Sequence, residues 1–271
     1  MLLLIDGDVL AYRTCKPRWL DHINRVQIKY TELEYSEEEA LPTYTEEENE
    51  QYIKDSWKLF KSNLKELMEK LFAVDTLMAV SGSWNFRDYI YPKYKENRRK
   101  RPHPLKNCVN EMRKLAVKNN LAIAADGCEA DDFLRIWAEE CRFNNVDYCV
   151  CTIDKDLKCI PGKYYNIVKD TLEDISIEEA NRYFYQQLLS GDPTDNIPGL
   201  FRIGPIKAQS LLEPFHEEQE MQEVIVSKYI DYYGDGWHDQ LLSNGKLLYL
   251  QKHPYDYFSL RSWPVVKELR C

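Results

Sequence analysis

Eight carboxylates stand where predicted strands end, where predicted helices begin, or in one acidic loop. They are Asp6, Glu129, Asp131, Asp132, Asp154, Asp156, Asp192 and Asp195. No histidine or cysteine lies inside the motifs Glu-Ala-Asp-Asp, Asp-Lys-Asp and Gly-Asp-x-x-Asp-Asn that contain seven of them. Oxygen-only ligation favours Mg²⁺ or Mn²⁺ over zinc. Because clustered carboxylates repel one another, some would hold protons unless cations bind. The pattern therefore predicts a divalent-metal site.

Each of these residues also has an ordinary structural explanation. An acidic residue in the first turn of a helix offsets the helix dipole, which would account for Glu129 or Asp132 alone. Asp192 and Asp195 also suit a turn. Asp8 is expected to be a helix N-cap rather than a ligand. The occurrence of all three motifs in one chain favours a shared metal site over these separate explanations.

A basic and aromatic stretch follows the second predicted strand. Residues 93–106 contain seven Lys and Arg against one acidic residue, Glu96. Lysine and arginine contact phosphates, and aromatic rings stack on unpaired bases. The aromatic residues that precede or interleave the basic ones are Trp84, Phe86, Tyr89, Tyr91 and Tyr94. A charge run is usually only a solvated surface, but beside a metal site this stretch predicts nucleic-acid binding.

A second candidate phosphate site is the turn before the helix predicted from Pro205. Gly199 and Gly204 bracket this turn, and Lys207 lies just inside the helix. Backbone amides at a helix start bind phosphate, and glycine permits close approach. A glycine-rich turn alone is weak evidence, and its place directly after the acidic loop strengthens it.

The elements that must position these residues alternate between strands and helices. The predicted strands are Leu2 to Ile5, Thr76 to Val80, Leu121 to Ala124, Tyr148 to Ile153 and Tyr164 to Val168. Helical periodicity between them predicts a mostly parallel sheet covered by helices, whose ligands lie at the carboxyl ends of the strands. After Pro161 the chain is mainly helical, and Ser176 opens a capping box. Further helices are predicted from about Pro205, Glu217 and Gly236.

The formal charge of −9 is unevenly distributed. Residues 31–50 contain nine Glu and no Lys or Arg, so the remaining acidic and basic residues balance at 36 each. The negative total therefore does not exclude a polyanionic partner. The apolar runs are too short to span a bilayer, and no secretion signal is recognised. The eight cysteines form no Cys-x-x-Cys pair, so neither a zinc site nor disulfides are expected. A cytoplasmic location is therefore predicted.

In their order along the chain, the motifs resemble those of the 5′-nuclease (flap endonuclease) family, and most of all bacteriophage 5′→3′ exonucleases. The similar segments are Asp6 to Asp8, Phe86 to Arg87, Tyr91 to Arg98, Glu129 to Asp132, Asp154 to Asp156, Gly191 to Gly199 and Ile203 to Ala208. One departure is the Ser-Gly-Ser at residues 81–83, where many relatives carry another aspartate. One ligand of the first metal would then be missing or replaced by water.

The resemblance implies an α/β fold with a mostly parallel PIN-like sheet flanked by helices. A helical arch would cover the active site, and a C-terminal helix-three-turn-helix subdomain would grip duplex DNA. On this mapping the catalytic domain covers residues 1–170, with the acidic insertion at about 21–50 and the arch at about 84–107. The helical subdomain covers residues 171–253, and a tail covers residues 254–271.

The resemblance also implies a role for individual residues. The first metal ion would be held by Asp6, Glu129 and Asp131, with Asp132 close by. The second would be held by Asp154, Asp156 and Asp195, with Asp192 further out. Lys95 and Arg98 resemble gateway cations that reach the scissile phosphate. The implied DNA contacts are Arg87, the stacking residue Tyr94, the strand-guiding Arg99, Lys100 and Arg101, and the duplex-binding Gly204 and Lys207, whose element also binds K⁺.

The resulting prediction is a 5′→3′ exonuclease and 5′ flap endonuclease that uses two Mg²⁺ or Mn²⁺ ions. Its substrates would be DNA with 5′ ends, flaps or duplex, with RNA/DNA hybrids as a further candidate, and its products would carry 5′-phosphates. The protein is expected to be a monomer without membrane contact. Two alternatives stay open: a haloacid-dehalogenase-like phosphatase, with Asp6 as nucleophile and Asp8 as acid, and a DNA-junction binding module that does not cleave.

Overall fold

A computed structural model describes residues 1–15, 45–97 and 104–269 of the chain. Most of the predicted acidic insertion lies outside these ranges, as do the arch residues Arg98, Arg99, Lys100 and Arg101. No helix within the described ranges is long and apolar enough to cross a membrane.

A six-stranded sheet with the strand order β3-β2-β1-β4-β5-β6 forms the centre of the fold. The strands are β1 Leu2–Asp6, β2 Asp75–Asn85, β3 Ile123–Gly127, β4 Tyr148–Thr152, β5 Gly162–Asn166 and β6 Thr171–Ile175. The first five strands run parallel, and β6 pairs antiparallel with β5 at one edge. Each predicted strand overlaps one of these, so the predicted mostly parallel α/β fold is confirmed. The edge strand β6 was not predicted, because four of its five residues are exposed and carry no apolar run.

Helices cover both faces of the sheet. In this region they are α1 (residues 7–15), α2 Glu46–Lys70, α3 Phe86–Ile90, α4 Pro104–Lys118 and α5 Ala130–Phe143. Side chains of a strand alternate between its two faces, so β1 contributes to two cores. Leu3 and Ile5 pack in one core with residues of α1, α2 and α4. Leu4 packs in the other with Leu134 and Trp137 of α5.

A third core forms the helical C-terminal part. Its helices are α6 Ile177–Ser190, α7 Pro205–Leu212, α8 Glu218–Tyr233, α9 Trp237–Leu248 and α10 Pro264–Glu268. The predicted capping box is present at the start of α6, where Ser176 and Glu179 exchange hydrogen bonds. Phe258 and Trp263, from the segment predicted as a tail, are buried in this core beside residues of α6 and α8.

A two-stranded hairpin carries the acidic loop between α6 and α7. Its strands are β7 Gly191–Asp192 and β8 Ile197–Pro198. Gly191 has a positive φ of 66°, which favours glycine. At Gly199, a Cβ would lie 2.1 Å from the carbonyl oxygen of Ser190. The two glycines therefore allow the two short strands to pair closely, with Asp192 in the first strand and Asp195 in the loop between them.

Candidate active site

Asp6 ends β1 and is almost fully buried, with 6% of its surface exposed. Its Oδ1 accepts the backbone N–H groups of Asp8 (3.1 Å) and Val9 (3.2 Å), so Asp6 caps α1. Its Oδ2 accepts a hydrogen bond from the Thr152 hydroxyl at 2.8 Å. Burial, and then the charge of Asp8, raise the pKa of Asp6 to about 6. The cost of charging Asp6 marks a position where a cation would be favoured.

Asp8 does not have the N-cap role that the sequence predicted, because Asp6 already occupies it. The Asp8 carboxylate instead accepts hydrogen bonds from Nε of Arg113 at 2.7 Å and from the backbone N–H of Ser81 at 3.2 Å, and it also contacts the Ser81 hydroxyl. In the same Ser-Gly-Ser segment, Ser83 donates from its backbone and hydroxyl to Asp126. Both serines thus bind acidic residues other than the eight predicted ligands.

Six of the eight predicted ligands line one cavity of about 80 Å³. They are Glu129, Asp131, Asp154, Asp156, Asp192 and Asp195. Asp6 is close enough to this group for its charge to raise the pKa of Asp131. Burial, and then the charges of Asp6, Glu129 and Asp154, hold the pKa of Asp131 well above its usual value. The parallel strands and the hairpin therefore bring together seven carboxylates that are far apart in the sequence.

A short 3-10 helix, Lys155–Cys159, positions Asp154 and Asp156 after β4. Asp154 caps this helix by accepting the backbone N–H of Asp156 at 2.9 Å. Oδ1 of Asp156 accepts hydrogen bonds from the Tyr183 hydroxyl (2.9 Å) and from Nε2 of Gln187 (3.0 Å). Burial, and then Asp154, raise the pKa of Asp156 to about 6.

Tyr183 and Gln187 were not predicted as site residues. They stand four positions apart in α6, so they share one face of this helix. That spacing was the available signal, and only the fold shows that this face is turned toward Asp156.

Lys95 extends its ammonium group among the carboxylates. Its Nζ contacts Glu129 and lies 3.5 Å from Oδ2 of Asp195. Burial alone would raise the pKa of Glu129. The positive charges of Arg87 and Lys95 outweigh this effect, so the pKa of Glu129 is lowered. Lys95 has a positive φ of 56°, and its backbone N–H donates to the carbonyl of Asp195 at 2.9 Å. The amide of Asn196 donates to the carbonyl of Lys93 at 2.8 Å.

Tyr94, predicted to stack on a base, is instead buried with 6% of its surface exposed. Its hydroxyl donates to Glu129 at 3.1 Å and lies 3.2 Å from Oδ2 of Asp195. Burial, and then the charge of Glu129, raise the pKa of Tyr94 far above its usual value. Tyr94 is therefore a neutral donor that orients two carboxylates. A base cannot stack on a ring that is covered by the protein.

The predictions for Arg87 and Asp132 need correction. Arg87 was expected to contact DNA and Asp132 to lie near the first metal. Their side chains are 1% and 0% exposed and face each other, with Nη1 2.6 Å from Oδ2 and Nη2 3.0 Å from Oδ1. Arg87 also donates to the carbonyls of Leu247 and Tyr249, and Asp132 accepts the backbone N–H groups of Glu129 and Gln251. With these bonds made, neither is available to DNA or a metal.

The remaining predicted residues lie at the edges of the site. Gly204 is the N-cap residue of α7. No atom lies within 4 Å of the position that a Cβ would take there. Lys207 is exposed in the first turn of this helix. The start of α7 is thus accessible to a phosphate. The predicted contacts Arg98, Arg99, Lys100 and Arg101 lie outside the described residues.

The donor set of the cavity fits a hard divalent cation. Its acidic groups offer only oxygen, as Mg²⁺ and Mn²⁺ prefer. Within residues 1–15, 45–97 and 104–269, no three Asp, Glu, His or Cys side chains are already arranged to hold an ion. The Lys95 ammonium lies among the carboxylates and offsets part of their charge. Burial, and then neighbouring carboxylates, still raise the pKa values of Asp6 and Asp156 to about 6.

Comparisons with known proteins identify relatives of this chain. The family described as "5′-3′ exonuclease, N-terminal resolvase-like domain" matches residues 1–187. The protein named 5′-3′ exonuclease from Mycoplasma genitalium is 27% identical over 228 residues, or 79% of this chain and 72% of that protein. DNA polymerase I of Rhizobium leguminosarum is 30% identical over 150 residues, which are 51% of this chain and 15% of that protein.

A solved structure shows the same fold. The bacteriophage T5 flap endonuclease, in a pseudo-enzyme-product complex with DNA and metal ions, has a TM-score of 0.62 and 16% identity, over 94% of this chain and 90% of that chain. The family match covers well over half of the chain, and it includes Asp6 and the motifs of Glu129 and Asp154. The resemblance predicted from those motifs is confirmed: this chain belongs to the 5′-3′ exonuclease family of nucleases.

Proposed function

We propose that this protein hydrolyses DNA from 5′ ends, as a 5′→3′ exonuclease and a 5′ flap endonuclease, with two Mg²⁺ or Mn²⁺ ions. The observation that carries the proposal is the cavity lined by six carboxylates, into which Lys95 extends. RNA in RNA/DNA hybrids is a further candidate substrate, since contacts to phosphates alone would not distinguish the two sugars.

Two groups of carboxylates would hold the ions. Asp6, Glu129 and Asp131 form the first, and Asp154, Asp156 and Asp195 form the second, with Asp192 further out. When bound, such ions activate water and stabilise the leaving oxygen of an in-line displacement, which gives a 5′-phosphate and a 3′-hydroxyl. The hydroxyls of Thr152, Tyr183 and Tyr94 keep these carboxylates oriented through the hydrogen bonds they donate.

Lys95 has the charge and position to contact the scissile phosphate. A cation there would stabilise the negative charge that develops on phosphate oxygens in the transition state. Its present partners, Glu129 and Asp195, are both proposed metal ligands. Cations bound by those carboxylates would compete with the ammonium, which would then be free to turn to the phosphate.

The helical part is proposed to bind the duplex. The open helix start at Gly204, with Lys207 in its first turn, offers backbone amides and one positive charge to a phosphate. K⁺ is proposed as a further ligand of this element. Arg98, Arg99, Lys100 and Arg101 are proposed to guide the single strand, with Arg98 also acting beside Lys95.

The test is to incubate the protein with 5′-labelled duplex, flap and RNA/DNA hybrid substrates, with and without Mg²⁺, and to size the products. The matched variant is Asp154→Asn. We expect it to abolish cleavage while DNA binding in Ca²⁺ stays within about twofold of wild type. Equal loss of binding and cleavage would contradict the division between a catalytic cavity and separate DNA-binding elements.

A test with para-nitrophenyl phosphate distinguishes the phosphatase alternative from the nuclease. It requires Asp8 as a free general acid, whereas the Asp8 carboxylate is held by Arg113 and Ser81. Hydrolysis of this small ester without cleavage of labelled DNA would favour the phosphatase. Tight DNA binding without any metal-dependent product would favour the non-cleaving module.

A further inference from the structure

The five aromatic residues of the basic and aromatic stretch fall into two groups. Three pack within the protein: one is buried, one is half-buried against the helical core, and one contacts a tyrosine ring edge to face. In that order they are Tyr94, Tyr91 and Phe86. The other two, Trp84 and Tyr89, are 52% and 80% exposed. The exposed aromatic surface of this stretch therefore belongs to Trp84 and Tyr89.

Trp84 and Tyr89 also contact each other. Their ring centres are 6.2 Å apart, and their planes make an angle of 79°. Aromatic rings attract each other in this edge-to-face arrangement. Single exposed apolar side chains are common on protein surfaces, whereas a contiguous patch often marks a binding site. Two nearly perpendicular planes form the sides of a corner, so one flat ring can stack on one side while the other bounds it.

The sheet positions the indole of this pair. Trp84 lies near the end of β2, and the neighbouring residue Asn85 pairs with Gly127 at the end of β3. A Cβ at Gly127 would lie only 3.0 Å from Cζ2 of the indole. The indole thus lies against a residue that has no side chain. Two paired strands, rather than a loop, therefore hold the exposed ring in place.

The pair lies directly beside the carboxylate cavity. The Asn85 amide donates to Oε1 of Glu129 at 2.8 Å, and Glu129 lines the cavity. Consecutive side chains of a strand point to opposite sides, so Trp84 turns away from the cavity that its neighbour faces. A strand with one phosphate at the carboxylates would therefore bring a nearby nucleotide, rather than that phosphate, to the indole.

The chemistry of the pair favours a base over a phosphate. The rings carry no formal charge, and Asp126 stands next to Gly127. Its Oδ1 accepts the backbone N–H and the hydroxyl of Ser83, both at 2.7 Å, which lower its pKa and keep it ionised. A negative charge there repels phosphate. In a duplex the faces of a base are covered by its neighbours, whereas an unpaired base can stack on an aromatic ring whatever its sequence.

We propose that Trp84 and Tyr89 form a stacking site for an unpaired base of the cleaved strand, within the first few nucleotides of the scissile phosphate. The identity of this strand rests on the proposed nuclease function, but stacking is a binding event that needs no cleavage. The site replaces the role expected of Tyr94, whose ring is covered. It holds the unpaired nucleotide beside Glu129 while the phosphate lies at the carboxylates.

The test is the binding of labelled DNA in Ca²⁺, with a duplex that carries three unpaired nucleotides at its 5′ end and a matched blunt duplex. Trp84→Ala should raise the Kd of the flapped DNA about tenfold and leave that of the blunt duplex within about twofold. Trp84→Phe keeps a ring and should recover most of the affinity. Tyr89→Ala should raise the Kd of the flapped DNA about threefold, and it tests the site even if Trp84→Ala fails to fold in thermal melting.

Phe143→Ala is the matched control. Phe143 is an exposed aromatic residue at the end of α5, roughly 20 Å along the helix from Glu129. Its removal should leave both Kd values unchanged. Equal weakening of flapped and blunt DNA by Trp84→Ala, or unchanged binding of flapped DNA by folded Trp84→Ala and Tyr89→Ala, would overturn the proposal.

Abasic nucleotides identify the stacked base. Each of the three unpaired positions is made abasic in turn, and at one of them the wild-type Kd should rise about tenfold. In Trp84→Ala the same abasic position should cost nothing further, because the ring it would stack on is gone. An equal abasic penalty in both proteins would refute stacking on Trp84. Cleavage in Mg²⁺ is scored separately, so a protein that shows the abasic effect without cleaving would refute the nuclease and keep the stacking site.

Discussion

Arg87 and Asp132, 45 residues apart, form a two-point ion pair at 2.6 and 3.0 Å in the interior of the protein. The same guanidinium donates to the carbonyls of Leu247 and Tyr249 at the end of α9. It thereby joins α3, α5 and α9 at one point. Because the pair is fully desolvated, removing one partner would leave the other as an uncompensated buried charge.

Replacing Arg87 should therefore destabilise the fold. We expect Arg87→Met to lower the free energy of unfolding by about 3–5 kcal/mol. The double variant Arg87→Met with Asp132→Leu should recover part of this loss, because it removes both charges. The measurement is urea denaturation, with Lys58→Met as the control, since its exposed pair with Asp55 should contribute at most about 1 kcal/mol. A small effect of Arg87→Met would show that water reaches this pair.

Tyr183 should affect the rate of cleavage rather than substrate binding. Tyr183→Phe removes the hydroxyl that donates to Asp156 at 2.9 Å and keeps the ring. Loss of such an orienting hydrogen bond typically costs about 10–100-fold in metal affinity or activity. We expect a drop of about tenfold in single-turnover cleavage at limiting Mg²⁺, partly restored by excess Mg²⁺. Tyr232→Phe, on an exposed face of α8, is the control, and an equal loss in both would point to a general effect of the substitution.

Lys95 should be needed for cleavage more than for binding. Removing a cation that stabilises the transition state costs about 10²–10³-fold in rate, so Lys95→Ala should lower single-turnover cleavage by that amount. The control is the neighbouring Lys93→Ala, whose side chain is exposed and does not line the carboxylate cavity. We expect it to weaken DNA binding slightly and to leave the saturated rate intact. An unchanged rate in Lys95→Ala would remove this residue from the catalytic set.

Asp131 should illustrate a conflict between stability and function. Its buried carboxylate is repelled by Asp6, Glu129 and Asp154, so Asp131→Asn should raise the free energy of unfolding in EDTA by about 1 kcal/mol. The same variant should lose cleavage, and Mg²⁺ should raise its melting temperature less than that of wild type. Asp174→Asn, on the exposed edge strand β6, should change stability by less than about 0.5 kcal/mol. Destabilisation by Asp131→Asn in EDTA would contradict the repulsion.

The glycines of the acidic hairpin should differ sharply from the one before α7. Gly199→Ala would place a Cβ 2.1 Å from the Ser190 carbonyl oxygen, whereas a Cβ at Gly204 meets no atom within 4 Å. Overpacking of backbone against backbone typically costs about 1–3 kcal/mol. Thermal unfolding should therefore show a clear loss for Gly199→Ala and little change for Gly204→Ala. Similar melting temperatures would mean that the hairpin opens at low cost.

The carboxylates could be predicted from the sequence because their positions follow from topology. Each motif directly follows a strand or opens a helix, and parallel strands place such ends at one edge of the sheet. The hairpin residues Asp192 and Asp195 join them because its two glycines close it tightly. The roles of Arg87 and Tyr94 could not be predicted, because burial depends on contacts with α9 and with the hairpin that no local spacing encodes. Asp8 was misassigned because two acidic residues compete for one N-cap, and the strand geometry favours Asp6.

The hydrogen bonds between the segment 93–97 and the hairpin have a mechanical consequence. Lys95 is tied to Asp195, and Asn196 to Lys93, by hydrogen bonds of 2.9 and 2.8 Å. These two bonds join the lysine that reaches into the cavity to the loop that leads into α7. A displacement of the hairpin would therefore move the backbone that carries Lys95. The proposed duplex contact at the start of α7 and the proposed contact of Lys95 with the scissile phosphate would then be coupled through these two hydrogen bonds.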